Sequence, residues 1–396
     1  MSKRIAFAGL VLALNTPYSH ANMLSDLAIS AVIDGYYQHG DRALGLRSEG
    51  FGLAGTELSL SSNIDDLFYG KVTTVLTTHE TATELELEEA FIQTLSLPYG
   101  FSVRAGRFLS DIGYLNAQHL HVDAFVDRPL VSRAMLGGHY FDDGLRLDWV
   151  APSNLYWRVG AEVFTGKPLA TSSEEEAPQS DVGVITAYSK WGGDLGDDHS
   201  WQLGLSYLHN RHGIGHLEVH EEAHEQSDDH ASHNHQASLT GKQLYIADVV
   251  YKWAPDGNYK NRHLRLSAEY FHLADRFDEH EDDPTEEPAE HLDNGDQGWY
   301  AELVYQATSR WSMGVRYGEL ESRLGHEEMH EGEHEWHVEA ANSTEWDAMI
   351  AWHNSHFSTV RLQYSQIDDG LFEREDDQVL SLQFIVALGA HGAHAF

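Results

Sequence analysis

Apolar and polar residues alternate along most of this chain, in segments of about ten residues. One clear run places Tyr245, Ala247 and Val249 on one face and Asp248 and Lys252 on the other, because successive side chains of a strand point to opposite sides. Strands with one apolar and one charged face suit a transmembrane barrel, whereas a soluble sandwich would bury its apolar faces against each other. About 16 such segments are predicted, near 27–37, 50–62, 67–78, 84–97, 100–110, 143–151, 154–164, 180–192, 199–209, 240–254, 262–274, 297–308, 310–320, 342–354, 357–367 and 377–388.

The connections between these segments favour the barrel. Outer-membrane barrels alternate short periplasmic turns with long extracellular loops, and they close because lipid cannot satisfy an open sheet edge. Short turns are predicted at 97–100, 151–154, 309–310 and 354–356, and long extracellular loops at 111–142, 165–179, 210–239, 275–296 and 321–341. We therefore predict an all-β fold, a single transmembrane antiparallel β-barrel of about 16 strands with long His/acid-rich extracellular loops.

The two ends of the chain predict export to an outer membrane. A positive residue pair and an apolar run open the chain, and the small residues at 19–21 form a cleavage motif. We predict a signal peptide over 1–21 and an outer-membrane β-barrel over 22–396. The terminal Phe396 resembles the signal that the outer-membrane assembly machinery recognises, which predicts the cell outer membrane of a Gram-negative bacterium.

The charge of the chain points to cations as partners. It has 63 Asp and Glu against 25 Lys and Arg, which disfavours nucleic acid. It has no cysteine, so any metal site must use His, Asp or Glu. The loop 275–296 is mainly carboxylate and prefers hard cations; calcium or magnesium bridging to lipopolysaccharide explains it equally well.

Two tracts repeat histidine at intervals of four among carboxylates. On a helical turn, positions i and i+4 share a face, so two imidazoles can bind one cation. Neutral imidazole with carboxylate oxygens suits Zn²⁺, and less selectively Cu²⁺ or Ni²⁺. We predict that the tracts bind zinc as cargo rather than as a catalytic cofactor; the alternative is a solvated polar loop that happens to be rich in histidine. The tract histidines are His212, His216, His220, His224, His230, His233, His235, His326, His330, His334 and His337.

The same tracts match the metalloprotease motif H-E-x-x-H at 220–224, 326–330 and 330–334. In that class, two histidines on a buried helix hold zinc and the glutamate activates water. Repeated matches are what low-complexity His/Glu composition yields by chance, and no apolar helix flanks them. We predict that the protein is not an enzyme.

The segment 111–142 differs from the other long connections because it mixes packable apolar residues with histidine and aspartate. We predict that it folds into the lumen, as an early loop does in porin-like barrels. His119, His121 and Asp123 are then candidate metal ligands at the constriction, together with Asp127 and His139. Packing and hydrogen bonding are the alternative roles for each of them.

Alternation also predicts which charged residues face the lumen. Their mixed signs indicate a water-filled, ion-paired pore wall rather than a charge-selective ladder. These residues are Arg146, Asp148, Arg158, Glu162, Asp248, Arg265, Glu269, Glu302, Arg316, Asp347 and Arg361.

Several stretches resemble a known family. Residues 57–71, 88–95 and 104–108, with the Gly-Ala-His-Gly-Ala-His tail from Gly389, resemble a group of proteobacterial outer-membrane proteins under zinc-dependent regulation, often labelled TonB-dependent receptors. The length suits a porin-type barrel of about 16 strands. The resemblance implies a zinc receptor or porin, and it leaves open coupling to TonB and assembly as a homotrimer.

Together these features predict an outer-membrane channel or receptor for uptake of Zn²⁺ or another divalent cation, captured on the external loops. The surroundings would be outer-membrane lipid and lipopolysaccharide. The alternatives are a general diffusion porin and a surface metal-sequestering barrel without transport.

Overall fold

The structure is a computed structural model that describes residues 27–79, 82–170, 182–213, 237–276, 295–330, 333–372 and 377–389. The predicted signal peptide, most of the first histidine tract, most of the loop 275–296 and Phe396 lie outside these residues. The strands are β1 (Ala28–His39), β2 (Gly50–Leu53), β3 (Thr56–Asn63), β4 (Phe68–His79), β5 (Ala82–Thr94), β6 (Phe101–Leu109), β7 (Phe141–Val150), β8 (Tyr156–Phe164), β9 (Val184–Leu195), β10 (His199–Asn210), β11 (Gln243–Trp253), β12 (His263–Ala274), β13 (Gly295–Thr308), β14 (Trp311–His330), β15 (Glu333–Ser355), β16 (Ser358–Asp369) and β17 (Gln378–Gly389).

The strands form one closed antiparallel sheet. β2 and β3 both pair with β1, β2 opposite 35–38 and β3 opposite 28–32, so together they make one interrupted barrel strand. β1 also pairs with β17, which closes the barrel. The predicted all-β barrel of 16 strands is confirmed.

Helical structure is confined to the connections. The described part has one α-helix, α1 (Leu130–Leu136), and four 3₁₀ turns. The 3₁₀ turns are Pro98–Gly100, Leu120–Val122, Lys167–Leu169 and Pro255–Gly257. No helix in the described part of the chain has the length and apolar character needed to cross a membrane.

The predicted alternation separates the two surfaces of the wall. On β17, Leu382 is 47% exposed, whereas its neighbours Ser381 and Gln383 are each 2% exposed. The outward apolar faces suit lipid, and the inward faces carry the polar groups. The charged residues predicted to face the lumen are buried or half-buried inside the barrel, where several form ion pairs.

The segment predicted as a loop at 321–341 is largely strand. β14 continues to His330 and β15 begins at Glu333, and the register places His326 opposite His337. The His/Glu-rich composition of this part suggested a loop, whereas a two-stranded ribbon needs only its main-chain hydrogen bonds. The helical turn expected for His326 and His330 is therefore wrong.

The segment between β6 and β7, residues 110–140, folds into the lumen as predicted. Ile112, Met135 and Leu136 are each at most 2% exposed and belong to one apolar core with inward-facing residues of the wall. The wall contributes Phe108, Phe164, Val184, Leu208, Leu244, Ile246, Phe271, Leu273, Tyr300 and Leu320. These wall residues lie near the strand ends that join the long connections. At that level of the barrel this apolar core fills part of the lumen, and burying its surface stabilises the infolded segment.

Candidate metal site in the barrel lumen

A β-bulge in β5 turns two adjacent carboxylates into the barrel. Thr73 pairs with Glu89 and Thr74 with Leu87, so Glu88 is the extra residue between them. In a regular strand one of two neighbouring glutamates would point to lipid, and a bulge re-aims side chains in this way. Glu88 and Glu89 are each 3% exposed. Both therefore face the infolded segment.

The segment presents histidine to this pair. His119 Nδ1 lies 2.9 Å from Glu88 Oε2, and its Nε2 lies 3.0 Å from Glu89 Oε2. His139 Nε2, at the other end of the segment, lies 2.8 Å from Glu88 Oε1. Glu88 therefore bridges two histidines that are 20 residues apart in the chain.

A third carboxylate completes the group from β3. Glu57 Oε2 lies 2.9 Å from His121 Nδ1 and 3.4 Å from His119 Nδ1. Ligand atoms of Glu57, Glu88 and His119 all lie within 4.8 Å of one another. In a tetrahedral zinc site with ligands near 2.05 Å, neighbouring ligand atoms are about 3.3 Å apart. The separations of 2.9 and 3.4 Å from His119 Nδ1 are close to that spacing. We call Glu57, Glu88, Glu89, His119 and His139 the lumen cluster.

The charge of the lumen cluster suits a divalent cation. Its three carboxylates face one ammonium group, that of Lys71, whose Nζ lies 2.5 Å from Glu89 Oε2. With neutral imidazoles, the cluster and Lys71 together carry two net negative charges. A divalent cation would balance these charges, and protons on the histidines would balance them in its absence.

His119 holds its proton strongly in the metal-free arrangement. Burial alone would lower the pKa of its imidazole, but the neighbouring carboxylates, Glu88 first among them, outweigh burial and raise the pKa to about 10. His119 belongs to the infolded segment and not to a membrane-spanning strand. A metal ion at its Nδ1 must therefore displace a proton.

Three other predicted site residues have described side chains, and they lie in different places. His121 contacts Glu57 and stacks on His119, with ring centroids 5.8 Å apart, so it borders the lumen cluster. Asp123 is placed elsewhere: its carboxylate lies 2.5 Å from Arg128 Nε, and it is not one of the grouped ligands. His212 lies in the turn after β10 and is not one of them either.

The remaining tract histidines are not tested by side-chain positions. Six lie outside the described residues: His216, His220, His224, His230, His233 and His235. Four lie on the β14–β15 ribbon, where only the backbone is described: His326, His330, His334 and His337. Their role as zinc ligands stays a prediction.

Ion pairs hold the opposite side of the segment. Asp127 lies 2.8 Å from Arg47 Nη1, and Arg47 Nη2 lies 2.5 Å from Asp34 Oδ2 on β1. Arg42, on the same β1–β2 connection, contacts Asp127 and reaches Asp347 on β15 at 2.7 Å. Asp127 therefore anchors the segment, which is the structural role weighed above as the alternative to metal binding.

Sequence patterns alone missed the acidic half of the cluster. Glu57, Glu88 and Glu89 lie in strands that alternation assigned to the wall, and a spacing rule does not reveal which segment faces them. One signal was available. The doublet Glu88-Glu89 breaks the alternation inside a predicted strand, and such a break indicates a bulge.

The comparisons with known proteins agree on the fold. No protein-family model matches the chain. An uncharacterized protein of Aquifex aeolicus (strain VF5) is 29% identical over 389 residues, which cover 94% of this chain and 76% of that protein. Pseudomonas putida OprB at high pH has a TM-score of 0.55 at 12% identity, covering 93% of this chain and 96% of that one.

Two further solved structures are similar. A loop L8 deletion mutant of OmpT, an outer membrane protein of Vibrio cholerae, has a TM-score of 0.52 at 8% identity and covers 91% of this chain and 99% of its own. The anion-selective porin from Comamonas acidovorans has a TM-score of 0.51 at 9% identity, and the match covers 92% of this chain and 99% of that porin. None of these matches indicates a zinc-regulated or TonB-dependent receptor. The chain has the closed 16-strand fold of the outer-membrane porins of Gram-negative bacteria, in agreement with the predicted location.

Proposed function

We propose that this protein is an outer-membrane channel that admits divalent metal ions, with zinc as its cargo. The His/acid-rich external loops capture the ion, and the lumen cluster binds it where the infolded segment meets β3 and β5. The observation that carries the proposal is the convergence of Glu57, Glu88 and His119 within 4.8 Å inside a porin-type barrel.

The chemistry of the cluster supports a cation more than a purely structural role. Three buried or nearly buried carboxylates within reach of one histidine are costly to assemble, because each loses hydration and repels the others. A structural anchor needs fewer charges: Glu162 on β8 is paired with Arg146 on β7 and accepts hydrogen bonds from Ser110 and Asp111 at the start of the segment. A divalent cation shared by Glu57 and Glu88 would lie directly between the two carboxylates, in place of the protons on the histidines that balance the cluster without it.

The test is zinc binding by a full-length tract variant, in which every tract histidine named above is asparagine. This variant removes the histidines of the tracts and leaves the lumen cluster intact. Calorimetry should still detect one zinc ion per barrel at neutral pH. Adding Glu57→Gln or Glu88→Gln should weaken that binding at least tenfold, since each removes a charged ligand.

Glu162→Gln is the matched control. Glu162 is 1% exposed, also accepts hydrogen bonds from the infolded segment, and is not among the grouped ligand atoms. Zinc affinity should be unchanged by this substitution. A tract variant that binds no zinc, or equal losses from Glu162→Gln and Glu88→Gln, would overturn the lumen site.

A second candidate function is general diffusion. The porins that share this fold favour it, since the fold is compatible with passage of small solutes of many kinds. In that case the lumen cluster serves only to hold the infolded segment. Proteoliposomes loaded with a zinc-sensitive dye distinguish the two: a metal channel loses zinc entry on Glu88→Gln but retains entry of a neutral sugar, whereas in a general porin both fluxes change together.

A further inference from the structure

Two buried carboxyl groups lie side by side on the inner wall of the barrel. Asp248 on β11 and Glu269 on β12 are directly opposite each other in the register of these strands, and they are 4% and 3% exposed. Directly opposed residues of an antiparallel pair have Cβ atoms about 4.5–5.5 Å apart, and like charges so placed destabilise a sheet. We call Asp248 and Glu269 the carboxylate pair. Its position calls for a counter-charge.

The infolded segment binds one member of the carboxylate pair. Glu269 accepts hydrogen bonds from the backbone N–H of Tyr114 at 2.5 Å and from that of Leu115 at 3.3 Å. It also accepts one from the hydroxyl of Tyr300 at 2.5 Å. None of these donors is charged, so they orient the carboxylate without cancelling its charge.

The other member of the pair lacks even neutral donors. Both carboxylate oxygens of Asp248 are buried without a hydrogen-bond partner among the described residues. Lys190 and the amide of Gln202 lie near Asp248, yet neither reaches hydrogen-bond geometry. An ionised carboxylate at this degree of burial is costly unless a cation compensates it.

The cations of the adjoining wall are already paired. One basic residue on each of β7, β8 and β9 points into the barrel beside the start of the infolded segment, and each has a carboxylate partner. The pairs are Arg146 with Glu162, Arg158 with Asp148, and Lys190 with Asp111. The charges within each pair cancel. As carboxylates, Asp248 and Glu269 therefore retain two negative charges, which one divalent cation would balance.

Two glycines leave room for the carboxylate pair. Gly204 on β10 lies opposite Asp248, and a Cβ at this glycine would collide with the Asp248 carboxylate. A Cβ on Gly113 of the infolded segment would collide with Glu269 Oε1. Gly113 also has a φ of 62°, in the left-handed region that favours glycine. The backbone is therefore shaped around both carboxylates.

We propose that the carboxylate pair binds one calcium ion, which fastens the infolded segment to the wall at β11 and β12. Calcium takes oxygen ligands in flexible geometry and accepts both oxygens of a carboxylate, whereas magnesium retains several waters, which a site this buried disfavours. The hydroxyl of Ser206, which accepts a hydrogen bond from the backbone N–H of Gly113, is a further oxygen nearby. The site is separate from the lumen cluster and does not rest on zinc passage.

The test is calorimetric titration of the purified full-length barrel with calcium chloride after treatment with a chelator. Acidic groups elsewhere contribute equally to wild type and variant, so the difference between their isotherms isolates the pair. Asp248→Asn, which keeps the size of the side chain and removes its charge, should weaken one calcium ion per barrel at least tenfold. Gly204→Ala should weaken the same ion while keeping both charges, because its methyl group takes the space of the carboxylate.

Calcium should also raise the temperature at which the wild-type barrel unfolds, because a ligand that binds only the folded state stabilises it. Heat-dependent gel mobility measures this temperature and verifies that each variant folds. The increase should be smaller in Asp248→Asn.

Asp34→Asn is the matched control. Asp34 is a wall aspartate that is 5% exposed, and it is paired with Arg47 on the β1–β2 connection. Calcium affinity should be unchanged by this substitution. Equal isotherms for wild type and Asp248→Asn, as a shared proton or a buried water in place of the ion would give, would overturn the proposal. So would equal losses from Asp34→Asn and Asp248→Asn. Zinc binding by the lumen cluster should survive Asp248→Asn, which separates this site from the proposed channel function.

Discussion

The affinity of the lumen cluster for zinc should depend steeply on pH above neutrality. His119 has a pKa of about 10 in the metal-free protein, so only about one molecule in a thousand has a neutral imidazole at pH 7. Zinc competes with that proton for Nδ1. The apparent association constant should therefore rise about tenfold per pH unit, or about 100-fold (about 2.7 kcal/mol) between pH 7 and pH 9.

Zinc affinity should rise, and not fall, with pH because the pKa of His119 is raised. A raised pKa means that the proton, and with it the ion pairs to Glu88 and Glu89, is retained until the pH rises through about 10. Low pH therefore favours the proton, and high pH favours the metal. Exposed histidines with an ordinary pKa near 6.5 are already mostly neutral at pH 7, so their affinity should change less than about twofold over the same range.

The assay is competition against a chelator of known zinc affinity at pH 7, 8 and 9, with the tract variant as the sample. Calorimetry in buffers of different ionisation enthalpy counts the protons released, and about one per zinc ion is expected at pH 7. His119→Asn should abolish both the release and the slope. An affinity that stays constant from pH 7 to pH 9 would refute the reasoning, because it would show that zinc does not displace the His119 proton.

Three further predictions concern the topology, the segment and the loops. An epitope tag inserted at Ser232 should be accessible to antibody on intact cells, whereas a tag at 196–198 should not; the reverse result contradicts the orientation. Leu136→Ala should lower the free energy of unfolding by about 2–5 kcal/mol in a denaturant titration, because it leaves a cavity in the core that holds the segment, whereas the lipid-facing Leu382→Ala should have little effect. Deleting 215–235 should slow zinc capture when zinc is scarce and leave single-channel conductance unchanged; a changed conductance would place that loop in the pore.

The barrel was predictable because successive residues of a strand face lipid and lumen in turn, and lipid favours apolar side chains whereas the lumen favours polar ones. On β17 the alternation of Leu380, Leu382 and Phe384 with Ser381 and Gln383 is visible in the sequence and corresponds to the exposed and buried faces of the wall. The ribbon formed by the ends of β14 and β15 was not predictable in this way. Residues 325–330 of β14 are Gly, His, Glu, Glu, Met and His and carry no signal of period two, although Trp336, Val338 and Ala340 alternate with charged or polar residues on β15.

The candidate site was predictable only in part. The unusual mixture of apolar and ligand residues in 111–142 correctly indicated an infolded segment, and His119 was among its candidates. Its partners could not be assigned, because they depend on a bulge at Glu88 and on which strands the segment approaches after closure of the barrel. Asp123 was predicted as a metal ligand but is paired with Arg128, five residues away. That pairing depends on how the segment folds, which sequence patterns do not reveal.

Planar-bilayer recording of the purified protein tests the central claim most directly. The wild type should conduct, should carry a zinc current under a zinc gradient, and should show zinc-dependent changes in single-channel current. His119→Asn combined with Glu88→Gln should retain conductance for potassium and chloride and lose the zinc response, while Glu162→Gln should retain both. A wild-type barrel that conducts with no response to zinc, or a zinc response that survives the double substitution, would contradict metal passage through the lumen cluster.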